Sequence, residues 1–306
     1  MDFGRAVYEV ARKDVLQHIR TKRLLIIGIF FVVVLQIVTM VFPLAFGDME
    51  DPAPGEPSLE NTLFFFHLNA SLFGGLFAIQ LLCIVLTADA VCSEWSQRTI
   101  FLLLSKPVSR TAFVVGKYIG SIVSIIPTIA ALYVLQYFLM MMVYPGQPTG
   151  DEVIGFILML GMLALGAMAV ASVALFFSSL TRSNVLSLIL TLLVTFFLFP
   201  ILSAIGDIQF GVDQSKAFQN GGDGDTLDPE DWKYDWSHYI TPSGTLSAAP
   251  GLLMPHQNGD DFGFSLSLFI PQFAPHRTWL AVLSGLGFTA LLVGLSIVRV
   301  NKRNFE

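Results

Sequence analysis

Charge is what this sequence has least of. Of its 306 residues only 13% are Asp, Glu, Lys or Arg, where a soluble domain carries about a quarter. The chain is 54% apolar, and its apolar residues gather into runs of about twenty, the length that crosses a bilayer as a helix. Together these exclude an ordinary soluble domain and place the chain among polytopic membrane proteins. Cysteine is nearly absent as well. Cys83 and Cys92 alone exclude a disulfide framework and any Cys-rich metal site. On one expected helix they stand about 13 Å apart along the axis, too far to pair, so both read as packing residues.

Enzyme signatures are missing too. No H-E-x-x-H, G-x-S-x-G or G-x-x-x-x-G-K-[ST] pattern occurs. Gly116-Lys117 is not a phosphate loop, because Thr111 and Tyr118 stand where that loop needs Gly and Ser or Thr. The expected spans are almost free of ionisable residues, with His67 near an outer end and Asp89 near an inner one. A membrane enzyme needs catalytic groups at depth, so the chain is expected not to be one. His238, His256 and His276 lie 18 and 20 residues apart. No compact metal motif has that spacing, and they read as loop histidines. No metal, cofactor or nucleic-acid site is expected in this chain.

What is present reads as an all-α, polytopic membrane protein forming a single membrane domain over residues 1–306. Residues 1–23 carry six cations among Phe3, Val7, Tyr8, Val10, Val15, Leu16 and Ile19. That spacing predicts an N-terminal amphipathic interfacial helix, an elbow leading into the first span. Six transmembrane helices are expected at 24–46, 63–88, 113–143, 153–180, 185–205 and 278–298. Residues 92–112 form a cytoplasmic linker between spans two and three, and 207–277 an extracytoplasmic loop. Within that loop, 239–253 is read as a short helix on the outer membrane surface. Pro127 is expected to bend the third span.

Basic residues give the orientation, since they are retained on the cytoplasmic side. Fourteen of the 17 Lys and Arg fall in the N-terminal segment, the linker, Arg182 and the C-terminal tail, while 17 of the 23 acidic residues fall in the opposite loops. Both termini are therefore expected in the cytoplasm, with the chain multi-pass in the cell membrane.

The polar residues inside the spans are mild: Gln36, Asn69, Gln80, Ser121, Ser124, Gln136, Ser172 and Thr191. Interhelical hydrogen bonding is their ordinary role. Gln36, Asn69 and Gln80 are the candidates for lining a shared pathway.

The linker is the most informative stretch. An apolar patch, Thr99 to Leu104, lies between cations and is stopped by Pro107, which pushes the preceding residue out of the helical region. Ser109 then caps the next helix. The order Glu94, Thr99-Ile100, Leu103-Leu104-Ser105-Lys106-Pro107-Val108-Ser109-Arg110 and Gly116-Lys117 resembles the signature of permease subunits of the type-2 ABC exporter family. Arg98 stands where that family usually has glycine. The match is closest over 94–120, and the span layout extends it loosely to the whole chain.

The resemblance implies a coupling helix in the linker that docks on a separate ABC ATPase, with ATP and Mg on that partner. It also implies a homodimer or heterodimer with a second permease, surrounded by membrane lipid. On this resemblance Thr99, Leu103 and Pro107 form the docking patch, and Glu94, Arg98, Arg110 and Lys117 fix its orientation. A non-transporting scaffold that anchors a cytoplasmic complex through the same linker is the alternative. The family moves drugs, peptides, lipids and polysaccharides, and some members assist metal-centre assembly, so the resemblance does not choose the substrate.

Overall fold

The computed structural model describes residues 2–21, 77–96, 109–143, 150–202, 241–247 and 278–302, with scattered positions at 26, 28–30, 204, 205, 208, 212 and 216. Among the described residues there is no strand. The helices are α1 (Phe3–Arg20), α2 (Ile79–Thr87), α3 (Cys92–Ser96), α4 (Arg110–Val143), α5 (Gly150–Leu180), α6 (Asn184–Leu193), α7 (Pro242–Ser247) and α8 (Thr278–Lys302). Among the described residues, five stretches are long and apolar enough to cross a membrane: Ile79–Ser96, Arg110–Phe138, Val153–Leu180, Asn184–Leu202 and Trp279–Lys302. The expected first span lies outside the described residues except for positions 26 and 28–30. Arg98, Thr99, Leu103, Pro107, Gln36 and Asn69 lie outside them altogether.

α5 is the central element, packing against α2, α4, α6, α7 and α8. Its run of small residues is the physical reason. Ala167, Ala171 and Ala174 are fully buried, and small side chains let helices approach closely where lipid supplies no hydrophobic drive. Gly166 shows how close. A Cβ there would lie 2.6 Å from Leu246 Cγ of α7. The sequence places this short helix on the outer membrane surface. The structure packs its described part, Pro242–Ser247, against α5 and α8, with Leu246 buried and Thr245 Oγ1 donating to the Ala281 carbonyl at 3.2 Å.

α4 begins as its sequence dictates, with Ser109 Oγ accepting from the Ala112 N–H at 3.1 Å, and it continues as one helix through Pro127. At its start Arg110 Nη1 donates to the Asn301 carbonyl at 2.9 Å. This places a cation at the end of α8, where helix dipole and orphan carbonyls favour one.

α1 packs along the first turns of α4 in the same chain direction. Val10 meets Gly116, Asp14 meets Gly120, and His18 meets Ser124. Each step is four residues on both helices, so ridge follows groove. The face of α1 turned to the bundle is Ala6, Val10, Ala11, Asp14 and His18, while Phe3, Tyr8, Leu16 and Ile19 are exposed. The large apolar residues thus point away from the protein, and a line of small and polar residues makes the seat.

A Cβ on Gly120 would stand 2.7 Å from Asp14 Cβ and 3.0 Å from the Ala11 carbonyl, whereas one on Gly161 meets nothing within 4 Å. Gly120→Leu is therefore expected to lift α1 off α4 at a cost of about 1–3 kcal/mol. Faster amide hydrogen exchange across α1 would report it, and Gly161→Leu should leave that exchange unchanged.

Candidate functional site

Two ends of the linker meet on α1. Glu94 leaves α3 on the way into the linker, and Lys117 lies two turns into α4 on the way out. Both are buried, at 5% and 2% exposure. Lys117 Nζ lies 2.7 Å from Asp14 Oδ1 and 3.3 Å from Glu94 Oε1. Lys13 Nζ donates to the same Glu94 oxygen at 2.9 Å, with half of its side chain exposed. Ser121 Oγ adds a longer contact to Asp14 Oδ2 at 3.4 Å.

The four charges alternate in sign and sum to zero: Asp14, Lys117, Glu94, Lys13. Alternation is what makes the burial tolerable. An unpaired ion taken out of water costs several kcal/mol, and neighbours of opposite sign return most of it when the geometry is good. The net gain is small, but the positions are strongly specified. A shift of α1 by one residue would put Lys13 or Val15 where Asp14 stands. Gly116 and Gly120 are the local cause, because only residues without a Cβ allow α1 to come near enough for Asp14 to reach Lys117.

Below this cluster α2 breaks before α3, and the break is satisfied from elsewhere in the bundle. Ser178 Oγ of α5 accepts from the Val91 and Cys92 N–H groups at 2.9 and 3.1 Å. Ser187 Oγ of α6 donates to the Ala88 carbonyl at 2.7 Å. Backbone groups freed at a helix break are costly to leave unpaired away from water. Two serines from two other helices therefore hold the corner from which Glu94 projects.

His18 and Ser124 form a buried pair at 3.2 Å. It is not a nucleophile and base. Ser124 Oγ lies 3.0 Å from the Gly120 carbonyl, which can only accept, so Ser124 donates there and His18 Nδ1 supplies the proton that Ser124 accepts. Among the described residues no group of three His, Cys, Asp or Glu is placed to hold a metal.

Of the residues expected to orient the linker, the structure brings together Glu94 and Lys117 and puts Arg110 on the end of α8. Gln80 is buried in α2. Sequence reasoning missed Lys13, Asp14, His18, Ser178 and Ser187. A signal for the first group was present in the four-residue spacing of Gly116, Gly120 and Ser124, the small-x-x-x-small pattern of a close helix contact.

The profile of the family described as ABC-2 family transporter protein matches residues 8–305. No curated protein sequence matches the chain.

Lys117→Met removes the shared cation and leaves Asp14 without its partner. A loss of about 3–5 kcal/mol is expected, read as a fall in thermal unfolding temperature in nanodiscs. The double variant Asp14→Asn with Lys117→Met should be more stable than Lys117→Met alone. If the two losses simply added, Asp14 and Lys117 would not be coupled.

Proposed function

From the premise that the chain belongs to the ABC-2 transporter family and is a membrane permease component of an ABC transporter, we propose that it exports its substrate under the drive of a separate ATPase subunit. The ATPase docks on the 94–117 linker through Thr99, Leu103 and Pro107, with Arg98 beside them, and it carries the ATP and Mg. Both termini and the linker face the cytoplasm of a cell whose plasma membrane holds the protein.

The observation that carries this reading is the convergence of the linker's two ends on one buried ion cluster. A loop held at a single end would dissipate a push from below. Held at both ends, and with Lys117 rooted in α4 and Glu94 in the corner below α2, it transmits displacement to two candidate spans and to α1 together. ATP can bias the spans only if the ATPase contacts the linker differently in its two states, and a firmly mounted linker makes that difference count.

A second permease copy completes the pathway, as a homodimer or with a relative. Val185, Ile189, Leu193, Phe197 and Ile201 form one exposed apolar stripe at four-residue spacing along α6 and its continuation. The stripe passes through a turn of π-helix at Val194–Leu198, and Phe196 there packs against Phe77 at 5.3 Å. Gln36, Asn69 and Gln80 remain the proposed polar lining.

The test is purification from the native host in mild detergent, followed by mass spectrometry and ATP-hydrolysis assays. An ATPase subunit in stoichiometric amount is expected. Leu103→Ala should weaken the coupling of hydrolysis to transport by about tenfold at unchanged membrane abundance. Full coupling in that variant would remove Leu103 from the docking patch. Absence of any ATPase would turn the reading to a scaffold.

A further inference from the structure

The outward face of α1 is held at a fixed depth and rotation by its seat on α4. Its depth follows from the ion cluster. Asp14 is held by Lys117 and sits with Glu94 just past the corner at Ala88–Val91, and that corner is tied to Ser178, two residues before α5 ends. The middle of α1 therefore stands level with the ends of α2 and α5. Its rotation is equally fixed by the buried seat of Ala6, Val10, Asp14 and His18.

What this orientation turns away from the bundle is mixed in chemistry. Tyr8, Leu16 and Ile19 are exposed large apolar side chains, and Arg5, Arg12 and Arg20 are exposed cations. A groove of about 410 Å³ runs along this side, lined by Glu9, Arg12, Lys13, Leu16, Gln17 and Arg20 among others. Three cations face one carboxylate there. Lys13 is committed to Glu94. Arg12 and Arg20 flank Leu16 and have no ion-pair partner among the described residues.

We propose that this groove holds the phosphate of an anionic phospholipid from the adjoining leaflet. The guanidinium groups of Arg12 and Arg20 clamp the phosphate oxygens, a geometry to which their planar forks are suited. Leu16 and Ile19 rest against the glycerol and upper acyl carbons, and Gln17 offers an amide to the ester or headgroup oxygens. A surface of cations alternating with large apolar side chains at this depth matches a headgroup boundary. The inference needs only the membrane location of the family and not the coupling mechanism.

The full-length chain in detergent is titrated with phosphatidylglycerol, and in parallel with phosphatidylcholine of the same acyl chains, and bound lipid is counted by native mass spectrometry. Preference for phosphatidylglycerol is expected. Arg12→Gln with Arg20→Gln should weaken it by about thirtyfold, from about 1 kcal/mol per cation near a lipid surface. Arg12→Lys with Arg20→Lys should retain part of it, which separates loss of the site from loss of the fold. Arg299→Gln with Lys302→Gln, at the same end of the bundle but outside the groove, should leave the preference intact. Equal losses from both glutamine pairs would mean diffuse surface charge and overturn the site. Competition by excess inorganic phosphate would identify a free anion as the occupant and overturn the lipid. Unchanged lipid binding with loss of the co-purifying ATPase would assign the groove to a protein partner.

Discussion

One lysine holds the arrangement together. Lys117 stands between Asp14 and Glu94, so three separated segments of chain share a single buried positive charge. In a medium where an uncompensated ion costs several kcal/mol, the cheapest state keeps all three in contact. The rotation and register of α1 on α4 follow from this, as does the meeting of the linker's two ends. Glycine at 116 and 120 supplies the closeness and charge alternation supplies the specificity, and neither would suffice alone.

The rest of the bundle shows the same economy of polar groups. Where α2 breaks, Ser178 and Ser187 take up the freed backbone groups instead of water. Where α4 meets α5, Tyr118 Oη donates to the Met168 carbonyl at 2.9 Å. Where α8 ends, Arg110 takes up a terminal carbonyl. These bonds join helices end to end and side to side, and at Gly166 α5 also takes the wedge of Leu246.

Much of this was legible in the sequence, for physical reasons that differ by element. Apolar runs mark candidate spans because lipid demands length and hydropathy together. Ser109 was readable as a cap because its role is local. The seat of α1 was not readable by counting apolar residues, since Phe3, Tyr8, Leu16 and Ile19 form the heavier side and the structure leaves them exposed. In a membrane protein the large residues suit lipid and the small ones suit other helices. Asp14 and His18 look like surface residues in a basic segment. Their partners lie 103 and 106 positions away, and no local pattern encodes such a distance. Lys117 was singled out as an orienting residue of the linker, and its partner on α1 was not. The docking patch at Thr99, Leu103 and Pro107 rests on the linker's motif, outside the described residues.

The separation of Asp14 from Lys117 has a consequence in time. Their 103-residue spacing means that a ribosome adding about 5–20 residues per second finishes α1 about 5–20 seconds before its countercharge exists. Over that interval Asp14 is an unpaired carboxylate and must stay in water, so α1 waits at the aqueous boundary while the following segments are inserted. The corner at Val91 waits as well, until Ser178 arrives 87 residues later. A chain truncated before α5 would therefore expose a linker whose mounting is unfinished, and a partner that reads the mounted shape has a means of ignoring it.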